Sequence, residues 1–260
     1  MSLRIVSLAS GSKGNCALIY SDNTAILCDA GIPITRIKER LQSVGFCLDA
    51  ISGVVVTHEH SDHICALPRV SRAVPLYAHP LTAKAIYDRQ KGLLNYKRVD
   101  FYDNGFYIGD IEVIPFRISH DATYPLGYTF KCGNSRISIA TDMGIVAGSV
   151  FNNIKDSQVV LLESNYDENM LKNGPYDQRL KARILSSKGH LSNVMAGEMA
   201  VRLAGGCLET LVLGHLSDTN NTPELALSTV RGCLGDKCDG VRIEVALQHE
   251  RSQIFEAYEK

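Results

Sequence analysis

Val54-Val-Val-Thr-His58-Glu-His60-Ser-Asp62-His63 is the stretch on which the fold turns. Three successive valines read as a buried strand, and that strand delivers three histidines and a carboxylate within six residues. Imidazole and carboxylate together suit a transition metal such as zinc or manganese. A chain leaving a strand end into a loop and a helix start can aim alternate side chains at one point. The zincin pattern H-E-x-x-H is absent, because Asp62 stands where its second histidine would be. The ordinary alternative is an exposed polar loop, and four ligand-type residues at this density argue against it.

The same rule recurs downstream. His120 follows the apolar run Val113–Ser119, Asp142 follows Ile137–Thr141, and His215 follows Leu211–Gly214. Singly, each is an ordinary polar residue. Together they are convergent groups on rigid strand ends.

The order H-x-H-x-D-H, then a distant His, an Asp and a final His, resembles the metallo-β-lactamase superfamily from Asp29 to His215. The resemblance implies an α/β (α+β) fold, the four-layer αββα sandwich. It implies two divalent metal ions, zinc or manganese, with His58, His60 and His120 on one. Asp62, His63 and His215 would hold the other, and Asp142 would bridge. Asp29 would support the site without ligating. A bridging aspartate, where β-lactamases typically have cysteine, points away from lactam hydrolysis. Two metals about 3.5–4 Å apart suit phosphodiester cleavage by a hydroxide held between them, with Asp62 in the catalytic group.

Leu161-Leu-Glu163-Ser-Asn165-Tyr166 and Gly189-His190-Leu-Ser192-Asn193 resemble two motifs of the tRNA-processing nuclease RNase Z. That likeness implies that Glu163 orients His190 and that His190 assists proton transfer near the scissile phosphate. Asn165, Lys188, Ser192 and Asn193 would then meet substrate. Ser192 equally suits the N-cap of a helix over 193–204. Ser7–Asn15, His120-Asp-Ala and Glu163-Ser-Asn-Tyr-Asp together resemble the YycJ or WalJ group of bacterial DNA exonucleases. This implies 5′-to-3′ exonuclease action, with single-stranded DNA the expected nucleic-acid substrate. Gly11-Ser-Lys-Gly14 either offers backbone amides to a phosphate or is a plain hairpin turn.

Two rivals stand beside this reading. A small-molecule hydrolase (lactonase, thioesterase or cyclic phosphodiesterase) would share every metal ligand without needing His190. A signalling adaptor of the same fold would show a damaged ligand set.

Bulk properties narrow the field less. Hydrophobic residues make up 45% and charged residues 21%, ordinary for a domain with a sizeable core. The formal net charge of −1 means that any polyanion must be met by a local patch. Lys84–Arg98, with Tyr87 and Tyr96 interleaved, and Lys172–His190, with Lys181, Arg183 and Lys188, are locally positive. The first ten residues do not read as a signal peptide, and no apolar run nears about 20 residues. A cytoplasmic protein without membrane or obligate protein partner is expected. The eight cysteines form no C-x-x-C pair and are expected to be free thiols. No linker or repeat divides residues 1–260, so a single domain is expected.

Patterning predicts strands at 4–8, 16–21, 24–28, 54–56, 99–103, 111–118, 126–132, 135–141, 159–162 and 211–213, closing on 241–247. It predicts helices over 34–44, 80–91, 178–186, 193–204 and 223–233.

Overall fold

Strands buried on both faces build the centre of the molecule. In Val159–Glu163, Val159 and Leu161 join one apolar core while Val160 and Leu162 join another. Ser2–Ala9 behaves alike, with Leu3 and Ile5 facing one way and Val6 and Leu8 the other. This is the two-residue period of a strand covered on both sides.

The computed structural model describes residues 2–90 and 97–258. Its first sheet contains β1 (Ser2–Ala9), β2 (Cys16–Tyr20), β3 (Ala25–Cys28), β4 (Gly53–Val55), β5 (Leu76–Ala78) and β6 (Arg98–Asp100). The second contains β7 (Phe106–Ile108), β8 (Ile111–Arg117), β9 (Leu126–Cys132), β10 (Ser135–Ala140), β11 (Val159–Glu163), β12 (Thr210–Gly214) and β13 (Arg242–Val245). The last strand, β14 (Phe255–Tyr258), returns to the first sheet. The orders are β14-β1-β2-β3-β4-β5-β6 and β13-β12-β11-β10-β9-β8-β7.

Ile19, Ile26, Tyr128, Phe130, Ile137 and Val212 fill the space between the sheets. Helices cover the outer faces. They are α1 (Ile34–Gln42), α2 (Ser61–Ile64), α3 (Leu67–Val70), α4 (Pro80–Arg89) and α5 (Gly148–Ile154). Then follow α6 (Glu168–Asn173), α7 (Gln178–Ile184), α8 (Asn193–Leu203) and α9 (Pro223–Leu234). Ile37 and Leu41 of α1 are wholly buried against the first sheet, each stabilising by about 1.5–3 kcal/mol relative to exposure. Met199 of α8 and Val230 of α9 pack on the second sheet. The layering is helix, sheet, sheet, helix, as the resemblance implied.

Several boundaries differ from expectation. The helix after Ile34 stops at Gln42, because Gly45 with φ 84° takes the left-handed turn that ends it. The strand expected at 99–103 is only Arg98–Asp100, and residue 91 of the expected 80–91 helix lies outside the described residues. The expected closing strand is not last: β14 follows it and pairs antiparallel with β1, Ser2 opposite Tyr258. Strands of three or four residues such as β5, β7 and β14 are too short for alternation to mark. All eight cysteines are free thiols. Among the described residues no helix is long and apolar enough to cross a membrane.

Strands β3 and β4 run parallel, as do β10, β11 and β12. Parallel strands present their carboxyl ends on one rim, where α/β sheets bind ligands.

Candidate metal centre

Asp29, Asp142 and His215 stand just past the ends of β3, β10 and β12 with φ of 64°, 61° and 57°. They are the only non-glycine residues with positive φ among the described residues. Such a backbone costs about 1–3 kcal/mol and persists where the surroundings enforce it. The left-handed step turns the chain off each strand at the same rim.

The loop after β4 is fastened by backbone. Asn15 N donates to Asp62 O at 2.8 Å, Ala30 N to His63 O at 2.8 Å and Ala66 N to Ala30 O at 2.8 Å. Gly31 fits tightly beneath, since a Cβ there would lie 1.6 Å from Asp62 O.

Among the described residues ligand-type atoms converge in four overlapping groups: His58, His60 and His120; Asp62, His63 and His215; His58, His63 and Asp142; and Asp142, Glu163, His190 and His215. Within each group they lie within 4.8 Å of one another. His60 Nδ1 and His120 Nε2 are 3.3 Å apart, close to the spacing of two nitrogens bound at about 2.0–2.1 Å to one tetrahedral ion. Asp142 lies between the first two groups: Oδ2 is 3.3 Å from His63 Nε2, and Oδ1 is 3.4 Å from His215 Nε2 and 3.7 Å from His120 Nε2. Asp62 Oδ2 is 3.5 Å from His63 Nε2 and 3.7 Å from His215 Nε2.

The outward nitrogens are already engaged. His63 Nδ1 donates to Asp29 Oδ2 at 2.7 Å, and Asp29 also accepts from Thr57 N and Oγ1. His58 Nδ1 pairs with Thr57 Oγ1 at 2.9 Å, His120 Nδ1 with Gly189 O at 3.2 Å and His215 Nδ1 with Glu163 Oε1 at 3.0 Å. Such partners fix the ring and its tautomer. The inward atoms His58 Nε2, His215 Nε2 and Asp142 Oδ2 are buried without any hydrogen-bond partner. Orphaned buried polar atoms are rare, and clustered in a His/Asp donor set they fit a divalent metal ion.

Electrostatics agree. Burial alone would raise the Asp142 carboxyl, but His215 and His63 hold it well below the usual range. Burial likewise opposes charge on His63 and His215. Asp142 and Asp29 nonetheless raise His63 well above its ordinary value, and Asp142, Asp62 and Glu163 raise His215 to about 10. His58 is pushed well below its ordinary value by burial and by the neighbouring His63. Asp142 thus requires positive charge beside it, from protons on imidazole or from a cation.

Glu163 is wholly buried. Its Oε1 accepts from His190 Nδ1 at 2.7 Å as well as from His215, and its Oε2 accepts from Met143 N at 2.6 Å and Leu191 N at 3.3 Å. The orientation of His190 by Glu163 is therefore present in the geometry. The link to His215 has no signal in the sequence.

The expected substrate contacts divide. Ser192 is wholly buried and caps α8, accepting from Met195 N while donating to Glu168. Asn193 is buried, accepts from Ser164 Oγ and exchanges hydrogen bonds with Asn221. Both therefore support the wall and cannot meet substrate, a correction to the sequence reading. Asn165 lines the cleft, although its amide donates to His215 O at 2.7 Å. Lys188 is exposed. The Gly11–Gly14 loop is a hairpin turn, its amides at 11, 13 and 14 bonded to Asn15, Gln248 and Gly11.

Lys181 Nζ donates to Lys172 O at 2.8 Å, whereas Arg183 Nε pairs with Asp121 Oδ2 at 2.6 Å. Asp121, quoted from the sequence only within His120-Asp-Ala and given no role there, has Oδ1 3.4 Å from His120 Nε2. Only its position directly after His120 could have signalled it. Tyr96 of the first stretch lies outside the described residues.

Residues 24–216 match the family model described as "Beta-lactamase superfamily domain". The chain is 35% identical over 250 residues to exodeoxyribonuclease YycJ of Bacillus anthracis, covering 93% of this chain and 92% of that protein. It is 33% identical over 242 residues to exodeoxyribonuclease WalJ of Streptococcus pneumoniae, covering 91% and 90%. The metallo-β-lactamase fold protein YhfI of Bacillus subtilis superposes with a TM-score of 0.75 at 16% identity, over 98% of this chain and 99% of that one. Strand order, rim geometry and these matches agree, and the chain belongs to the β-lactamase superfamily of metallo-β-lactamase-fold hydrolases.

Proposed function

We propose that this chain, acting as one cytoplasmic domain over residues 1–260, is an exodeoxyribonuclease that hydrolyses phosphodiesters of single-stranded DNA in the 5′-to-3′ direction. The observation that carries the reading is Glu163 Oε1 between His190 and His215, because a bare metal hydrolase has no need of His190. The relatives' names supply the DNA substrate.

His58, His60 and His120 would hold one divalent ion, and Asp62, His63 and His215 a second, with Asp142 shared. Two such ions, zinc or manganese, lower the pKa of water toward about 7 and neutralise phosphoryl charge. The chain's own residues supply the rest. Water adds to phosphorus and gives up one proton to Asp62, the bond from phosphorus to the leaving oxygen breaks, and His190 Nε2 gives that oxygen a proton; exchange with solvent then restores both side chains. Glu163 accepts from Nδ1–H, so the ring donates from Nε2 as the imidazolium, whose positive charge the buried carboxylate faces. Asn165 lines the cleft, and the exposed Lys188, two residues before His190, would meet substrate.

The test is release of mononucleotides from single-stranded DNA labelled at either end, with zinc or manganese supplied and then chelated. Metal-dependent release beginning at the 5′ end supports the reading. Hydrolysis of thioesters or lactones with no release from DNA overturns it in favour of a small-molecule hydrolase.

A further inference from the structure

Beside the centre lies a recess of about 150 Å³, smaller than the roughly 300–1,000 Å³ of pockets for drug-sized ligands. It suits one ring system and no more. His120, Gly189 and His190 form its inner wall, and Tyr176, Leu180 and Ile184 its outer one. The outer wall is held by a small apolar cluster in which Tyr176 and Leu180 pack on Tyr166, Leu171 and Ile184. Arg183 and Asp121 line it as well. Asp121 fixes the guanidinium through Nε, and its terminal nitrogens have no protein partner among the described residues.

We propose that this recess receives the base of the nucleotide whose oxygen departs, stacked on Tyr176, with Arg183 reaching the adjacent phosphate. The proposal rests on the phosphodiesterase reading above. Its logic is positional. If His190 protonates the leaving oxygen, the sugar bearing that oxygen must lie against His190, and its base must enter whatever space adjoins that ring. The adjoining space has an aromatic and aliphatic wall, and an aromatic ring takes any base because every base has a π-face. A cation anchored by a carboxylate suits a phosphate oxygen, since the pair carries no net charge while the free nitrogens still donate. A recess for a single base also limits the departing fragment, which favours removal of terminal nucleotides over internal cuts.

The test is a cycle between protein and substrate, run on the metal-supplied enzyme. Short oligodeoxynucleotides carry an abasic residue on one side or the other of the cut bond, and product analysis identifies the departing oxygen. In the wild type, removing the base on the leaving-group side should raise KM by about 5–150-fold, the range of one base–aromatic stack. Tyr176→Phe should keep that penalty, whereas Tyr176→Leu, which preserves apolar packing, should abolish it. A penalty of equal size in wild type and Tyr176→Leu overturns the recess and leaves the nuclease reading intact. Absence of turnover by the wild type on every oligonucleotide overturns both.

Discussion

His190 and His215 stack with ring centroids 5.2 Å apart, and their Nδ1 atoms share one acceptor, Glu163 Oε1. The proposed proton donor and a proposed metal ligand are therefore oriented by a single buried oxygen. His190→Ala should slow diester cleavage by about 10²–10⁴-fold, the usual contribution of a general acid, with metal content unchanged. Glu163→Gln should slow cleavage as well and also weaken metal binding by about 10–100-fold, the scale of removing a ligand's outer partner. Turnover assays and metal titrations on both variants check this. Undiminished metal affinity in Glu163→Gln would show that His215 is held without it.

Asp142 carries the second expectation. Its carboxylate is buried and lies between the group of His58, His60 and His120 and the group of Asp62, His63 and His215. Asp142→Asn keeps a side chain tolerant of the left-handed backbone, so it isolates the charge from the fold. Elemental analysis of protein purified without chelator should find two transition-metal equivalents in the wild type and a clear deficit in the variant. Two retained metals and full turnover would refute the shared-ligand assignment.

The metal-stripped protein should depend on pH in a defined sense. His215 is raised to about 10 in the fold, against about 6.5 in the unfolded chain. A raised pKa contributes stability that is complete below about 6.5 and is lost as pH climbs toward 10. Asp142 and Asp62 are depressed, so their contribution disappears on acidification below the ordinary carboxylate range. Thermal midpoints of stripped protein should therefore fall between pH 6.5 and 10. A rise over that window would contradict the charge balance around Asp142.

Arg183 and Lys181 should behave differently although two residues apart on α7. Arg183 joins Asp121 at the cleft, whereas Lys181 caps the Lys172 carbonyl. Binding to single-stranded DNA, followed by anisotropy across salt concentrations, should weaken much more in Arg183→Glu than in Lys181→Glu. The log–log salt slope should shrink by about 0.7 for each phosphate that is no longer neutralised. Equal weakening in the two variants would spread the polyanion contact along α7 instead of placing it at Arg183.

The centre was legible because its residue types are chemically scarce and each follows an apolar strand. The supporting role of Asp29 came from the resemblance alone, and its pairing with His63 had no signal in the sequence. Asp121–Arg183 was not legible, since the partners are 62 residues apart and meet only after α7 folds back beside the rim. Ser192 was ambiguous because a hydroxyl before a helix serves a cap and a ligand equally well. The fold's long strands were readable by period. Of its three-residue strands, β4 was readable as a valine run and β6 in part, whereas β5 and β7 were not, and the crossing of β14 to the first sheet is a topological fact with no local signature.

Gly31 beneath Asp62 has a consequence for how metal enters. The loop that carries His58, His60, Asp62 and His63 is bolted by main-chain bonds from residues 15, 30 and 66, with no room for a side chain at 31. Its ligands are thus pre-assembled by the scaffold, unlike those of small zinc modules that fold only around their ion. A divalent ion would then load onto a finished surface, so stripping and reloading should leave the fold intact.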